Sequence, residues 1–258
     1  MSPKLLVIIN EPDTTAALFG NWIEDEGVEL LNIHAYRGDA VPDEVTPVAD
    51  GLLVLGGSMN CQADDQAPWL PAVRALMKRS YEQGVPTLGI CLGGQLLSVA
   101  LGGEVKPSDH GVQVGTYELA PVVDLKDDLI FNSITGAVQA AQWHVDEIVR
   151  LPAGAVHLMG DAEFPHQAFR LGQTCWGVQF HPEIDDELMA QWSTPSSMAG
   201  MPKTPEQAIS QTISTFVATS LLVIVMMSEL LRRWLKQLDQ KDNHQNLDEQ
   251  DIHHGSIE

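Results

Sequence analysis

An α/β fold, a doubly wound and mostly parallel sheet with helices on both faces and added antiparallel strands, is predicted by three features of the chain. Apolar runs recur as KLLVII from Lys4, VELLNIHAY from Val28, GLLVLGG from Gly51 and VPTLGICLGG from Val85. They are continuously apolar rather than alternating, the pattern of strands covered on both faces. Helix-length stretches separate them, as parallel neighbours require.

The elements follow in chain order. MSPKLLVIIN carries one lysine and a short apolar run and turns acidic at Glu11 and Asp13, so it reads as a first strand rather than a signal peptide. Between the third and fourth strands, PWLPAVRALMKRSYEQG sets Trp69, Val73, Leu76 and Met77 on one face and stops at Gly84, which predicts a helix. After Leu101 the character changes. GTYELAPVV, GAVQAAQWHVDEIVRLP and QAFRLGQTCWGVQF read as strands with turns, including a hairpin across LGQT.

Residues 207–228 lack charge and include FVATSLLVIVMM. Their first half is polar and the apolar core is shorter than a bilayer requires. The pattern continues through Leu231, Trp234, Leu235 and Leu238 at helical spacing, so a helix packed on the sheet is expected rather than a membrane span. Residues 1–240 form the expected domain, and the polar stretch 241–258 reads as a disordered tail.

Composition narrows the function. Fourteen Lys and Arg against 35 Asp and Glu give a net charge of −21, which repels nucleic acid and anionic lipid. Three cysteines, Cys61, Cys91 and Cys175, stand far apart with no zinc-ligand spacing, as expected of a reducing, cytoplasmic setting without a metal. Neither GxxxxGK[ST] nor a helix-opening GxGxxG occurs, so no nucleotide cofactor is expected.

Chemistry concentrates at GICLGGQLL, residues 89–97. Ligands of parallel sheets bind beyond the C-terminal ends of strands, where this stretch falls, and a helix begins directly after Cys91. G-x-C-x-G is the thiol counterpart of the nucleophile elbow, and the N-terminus of a helix stabilises a thiolate. Taken alone, the motif fits a small buried thiol equally well. A nucleophile needs a base, and GVQFHPE offers one at His181. Glu183, two residues on in an extended segment, points the same way and can brace the ring, leaving the other nitrogen for a thiol. H-P-E alone also fits a strand end with an ion pair.

Together GICLGGQ and GVQFHPE resemble the two active-site signatures of class I (triad) glutamine amidotransferases. The resemblance extends to GGSMN, PWL, QWHVDEI and QAFR, covers roughly residues 50–190, and is greatest to the GMP-synthase-like free-standing subgroup. It implies a flavodoxin-like sheet and a Cys91, His181, Glu183 triad that hydrolyses the side-chain amide of glutamine to glutamate and ammonia through a thioester. It further implies an oxyanion hole from the backbone N–H groups of Gly57 and Leu92, and glutamine-binding roles for Gln95 and Ser58. His144 is either a second pocket histidine, in a loop beside that pocket, or a structural one.

Two positions depart from the family pattern: Ser58 stands where proline is frequent, and Gln113 where an acidic residue is common. Residues 1–258 show no ATP-activating motif, so amination implies a synthetase or acceptor-binding partner chain. Three rivals remain: a γ-glutamyl peptide or small-amide hydrolase of the same fold, a non-catalytic binding protein, and a membrane-associated form anchored by residues 207–228. Thiol peptidases of similar fold usually place histidine directly after the cysteine, where this chain has Leu92.

Overall fold

The computed structural model describes residues 2–185, 188, 192 and 232–238. Among these, nine strands form one sheet in the order β2-β1-β3-β4-β11-β10-β9-β6-β7. Its first half is parallel: β2 (Glu29–His34), β1 (Lys4–Ile9), β3 (Gly51–Val54), β4 (Thr87–Ile90) and β11 (Cys175–Val178). This is the doubly wound order 2-1-3-4-5, with β11 in the fifth position.

The second half is antiparallel, through β10 (Ala168–Leu171), β9 (Val156–Gly160), β6 (Gln113–Pro121) and β7 (Val138–His144). The hairpin expected across LGQT joins β10 to β11, turning at Gly172 with φ +58°. A separate two-stranded ribbon pairs β5 (Glu104–Pro107) with β8 (Asp146–Arg150). QWHVDE, expected as a loop, instead ends β7 and begins β8, divided only by Val145.

Two hydrophobic layers cover the sheet. On one face, α2 (Leu70–Glu82) and α3 (Leu92–Ala100) bury Val73, Leu76, Met77, Leu96 and Leu97 with Leu6, Ile8, Leu52 and Val54. On the other, Phe19 and Ile23 of α1 (Ala17–Asp25) meet Leu5, Val7, Leu53 and Leu88. Residues 232–238 are helical, and Trp234, Leu235 and Leu238 join this second layer, as their spacing predicts. No helix among the described residues is long and apolar enough to cross a membrane. Residues 207–228 and 241–258 lie outside the described residues.

Helix α3 approaches the central strands at backbone contact, which only glycine permits. A β-carbon on Gly94 would stand 2.6 Å from the carbonyl oxygen of Val178, and one on Gly93 would overlap that of Val54. Gly94→Ala should therefore destabilise the protein by roughly 1–3 kcal/mol despite alanine's better helix propensity. Gly136→Ala, with nothing within 4 Å of its new methyl, should change stability by less than about 0.5 kcal/mol. Urea midpoints of the two variants check this.

Candidate active site

Loops after β1, β3, β4 and β11 meet at the C-terminal ends of the parallel strands. Order reverses between β1 and β3, which opens a crevice there. The cavity in it has a volume of about 290 Å³ and is lined by residues that include Glu11, Asp13, Gly57, Ser58, Cys91 and His181.

Cys91 occupies the single residue between β4 and α3, with φ +50° and ψ −108°. A side chain at such φ is strained and persists because both flanks are fixed. The Cys91 N–H donates to Val178 O at 2.8 Å, and its carbonyl accepts the first bond of α3 from the Gln95 N–H at 3.0 Å. The thiol lies 3.9 Å from Trp143 O, and the Gln179 amide donates to the sulfur at 3.7 Å.

His181 follows β11 and is placed by its own N–H, which donates to Ala141 O at 2.8 Å. Its Nδ1 lies 2.9 Å from Glu183 Oε1, both side chains being 3% exposed. The Glu183 backbone carbonyl accepts the Leu18 N–H at 3.0 Å, which ties this segment to α1. His181 Nε2 is buried and has no hydrogen bond of good geometry. It shares its wall with the thiol: a β-carbon on Gly56 would lie 3.2 Å from His181 Cε1 and 3.7 Å from Cys91 Cβ. Burial alone would depress this imidazole, but the Glu183 carboxylate and then Cys91 outweigh it and raise His181 to about 10.

Gly57 lines the cavity and packs on Leu92. The Leu92 amide lies in the first turn of α3, where helix geometry leaves N–H groups without intrahelical acceptors. The Gly57 loop is held by Asn10, fully buried, whose amide donates to Leu55 O at 2.9 Å and Gly56 O at 3.3 Å. Ser58 also lines the cavity, its hydroxyl donating to Glu11 Oε2 at 2.7 Å.

Gln95 and His144 stand one layer behind the cavity wall. The Gln95 amide donates to Asp146 O and to Gln179 Oε1, each at 3.2 Å, and so backs the amide that touches Cys91. The His144 ring nitrogens lie 3.0 Å from Asp146 O and 2.8 Å from Gln113 Oε1. Burial first, then the charge of His181, push it down to about 3, so this histidine is neutral.

Several lining residues carry no motif in the sequence. Gln179, which touches the Cys91 sulfur but does not line the cavity, falls inside GVQFHPE, two residues before His181 on the same side of an extended segment. Glu11 and Asp13 follow the first strand, where the strand-end rule points. Trp192 gives no local signal. It reaches the site through a tertiary contact, with its ring centroid 4.6 Å from that of His181 and edge-on to it.

A thiol on a strained elbow, beside a carboxylate-braced histidine at the switch point of a doubly wound sheet, is the arrangement of a thiol-dependent amidotransferase class. The chain belongs to the class I glutamine amidotransferase family, whose model matches residues 20–191. It is 33% identical over 194 residues to a GMP synthase (glutamine-hydrolysing) of Prochlorococcus marinus, a match covering 71% of this chain but 34% of that protein. Identity is 31% over 175 residues with a γ-glutamyl-L-1-hydroxyisopropylamide hydrolase of a Pseudomonas species, covering 64% of this chain and 58% of that one. A solved glutamine amido transferase from Methylobacillus flagellatus superposes with a TM-score of 0.79 at 25% identity, over 92% of this chain and 95% of its own.

The coupling of His181 to Glu183 has a pH signature. Because the folded value of about 10 exceeds the ordinary 6.5, the stability this proton contributes is complete below pH 6.5 and is lost as pH rises through 10. Glu183→Gln removes the first raising influence while burial still opposes the charged form, so His181 should titrate well below its value in the parent protein. Nitrogen-15 NMR of labelled histidine in the two proteins checks this.

Proposed function

We propose that this chain hydrolyses the γ-amide of glutamine, or of a γ-glutamyl compound, through Cys91. One observation carries the reading: His181, with one ring nitrogen held by Glu183, lines the same cavity as Cys91, and the two side chains interact.

The Cys91 thiolate attacks the amide carbon, and the negative charge that develops on its oxygen is met by the N–H groups of Gly57 and Leu92. His181, protonated through its pairing with Glu183, gives its proton to the departing nitrogen, which leaves as ammonia or an amine. A γ-glutamyl thioester remains on the sulfur. The now neutral imidazole takes a proton from water, hydroxide adds to the thioester, and glutamate leaves as the thiolate re-forms. The Gln179 amide at the sulfur stabilises that thiolate, and the Gln95 side chain holds Gln179 in place.

Where the ammonia goes depends on what this chain works with. It spans about a third of the matched GMP synthase, and amination of an acceptor draws on synthetase chemistry beyond residues 1–258, in a partner chain or elsewhere in the same polypeptide. Hydrolysis without transfer is the second reading, favoured by the greater share, 58%, of the γ-glutamylamide hydrolase that the chain spans. All three cysteines are free and buried, which suits a reducing compartment such as the cytoplasm.

A glutamine-mimicking diazo-ketone should alkylate Cys91 and leave Cys61 and Cys175 unmodified, as mass spectrometry of the digested protein will show. Burial raises both of those thiols to about 11. His181→Ala should lower kcat for glutamate release by roughly 10²- to 10⁴-fold. Folded protein without an adduct on Cys91 overturns the reading.

A further inference from the structure

Two carboxylates, Glu11 and Asp13, line the cavity that holds Cys91 and His181, and among the described residues no lysine or arginine lines it. The departing nitrogen of any amide cleaved here must face His181 Nε2, the atom that protonates it. Nε2 is buried and lacks a hydrogen-bonded partner. Whatever substituent the nitrogen bears must therefore run along the wall beside His181.

That wall is Trp192, edge-on to the imidazole, whose indole N–H donates to the Asp13 carbonyl at 2.9 Å. Trp143 stands 5.9 Å from Trp192, ring centre to ring centre, and extends the aromatic surface. Glu11 lies two residues before Asp13 and is anchored by the Ser58 hydroxyl. Burial, and to a lesser degree Asp13, raise its carboxyl above the usual range, as befits a carboxylate with no cation at hand. Carboxylates beside indole rings attract ammonium groups and reject anions.

We propose that the side of the cavity beside His181 is a specificity pocket for a cationic amine, with Glu11 and Asp13 as its specificity-determining residues and Trp192 as its wall. The substrate class is a γ-glutamyl amide of a diamine: one nitrogen is acylated and the other, an ammonium, faces the carboxylates. This rests on the hydrolysis proposed above and names its leaving group. The C–N bond breaks as the Cys91 thioester forms, the diamine departs with the proton of His181, and water then releases glutamate. A cavity of about 290 Å³ is at the small end of ligand sites, which run from roughly 300 to 1,000 Å³, so the diamine is a short one.

The test uses Cys91→Ala protein, which binds without turnover, and three γ-glutamyl amides of matched length measured by calorimetry. These are the monoamide of 1,4-diaminobutane (cationic), the butylamide (neutral) and the amide of 4-aminobutyrate (anionic). The diamine derivative should bind roughly five- to tenfold tighter than the butylamide, and the anionic one weaker than both by a similar factor. Adding Glu11→Gln or Asp13→Asn should compress this ranking. Equal affinity for all three overturns the proposal. So does a uniform loss across all three on substitution, which would put the carboxylates on the α-ammonium common to every ligand. Because the ranking is read from binding, an intact ranking in a protein that cleaves none of the three overturns the hydrolytic reading alone.

Discussion

The contact between helix α3 and the strands beneath it sets the rest of the site. At Gly94 the helix backbone comes so near Val178 that a β-carbon would stand 2.6 Å from its carbonyl oxygen. With the helix pinned there, the one residue linking it to β4 has no freedom, and Cys91 takes a φ of +50°. Val178 also accepts the Cys91 N–H and ends the strand that leads to His181. The pairing of Ile90 with Val178 brings the two strands to a common end. The sulfur and the imidazole are thus neighbours by strand register.

Behind the cavity the protein buries an unusually amide-rich layer. Gln95 and Gln179 support the sulfur, while Gln142, Gln167, Gln113 and His144 form a second chain ending on Asp161. Hydrogen bonds within a low-dielectric interior reinforce one another, although Gln142 Oε1 at one end of this chain is buried without a partner. Its placement has an electrostatic effect as well. With His144 held neutral, the layer adds no positive charge beside His181, whose proton is retained by Glu183.

The parallel half of the sheet was legible because β1, β3 and β4 are uninterrupted runs of apolar residues, a signal that fully buried strands cannot avoid. The elbow at Cys91 and the paired His181 and Glu183 were legible for a different reason: their spacing is dictated by local geometry, one residue between strand and helix and two along an extended segment. The strand β9, VHLMG, and the ribbon strand β5, EVKP, were not, since each is short and β5 ends on proline. His144 ends β7 rather than lying in a loop, because only Val145 separates β7 from β8. Glu11 and Asp13 lie just past the end of β1, where ligands of such sheets bind, whereas Trp192 reaches the cavity through tertiary folding, which no local pattern encodes. Leu235 and Leu238 show the converse, where helical spacing alone located a buried face.

The strand β11 sits between β4 and β10 although 84 residues separate it from β4 in the chain. During synthesis, the first four strands and the elbow emerge well before it, and β4 then has one edge without its neighbour. Pairing across such a separation is slow compared with the local assembly of the first four strands. A growing polypeptide therefore presents Cys91 long before His181, and the two meet only when β11 pairs with β4. The juxtaposition of Cys91 and His181 is in this sense a property of the finished sheet, complete only with β11 in place.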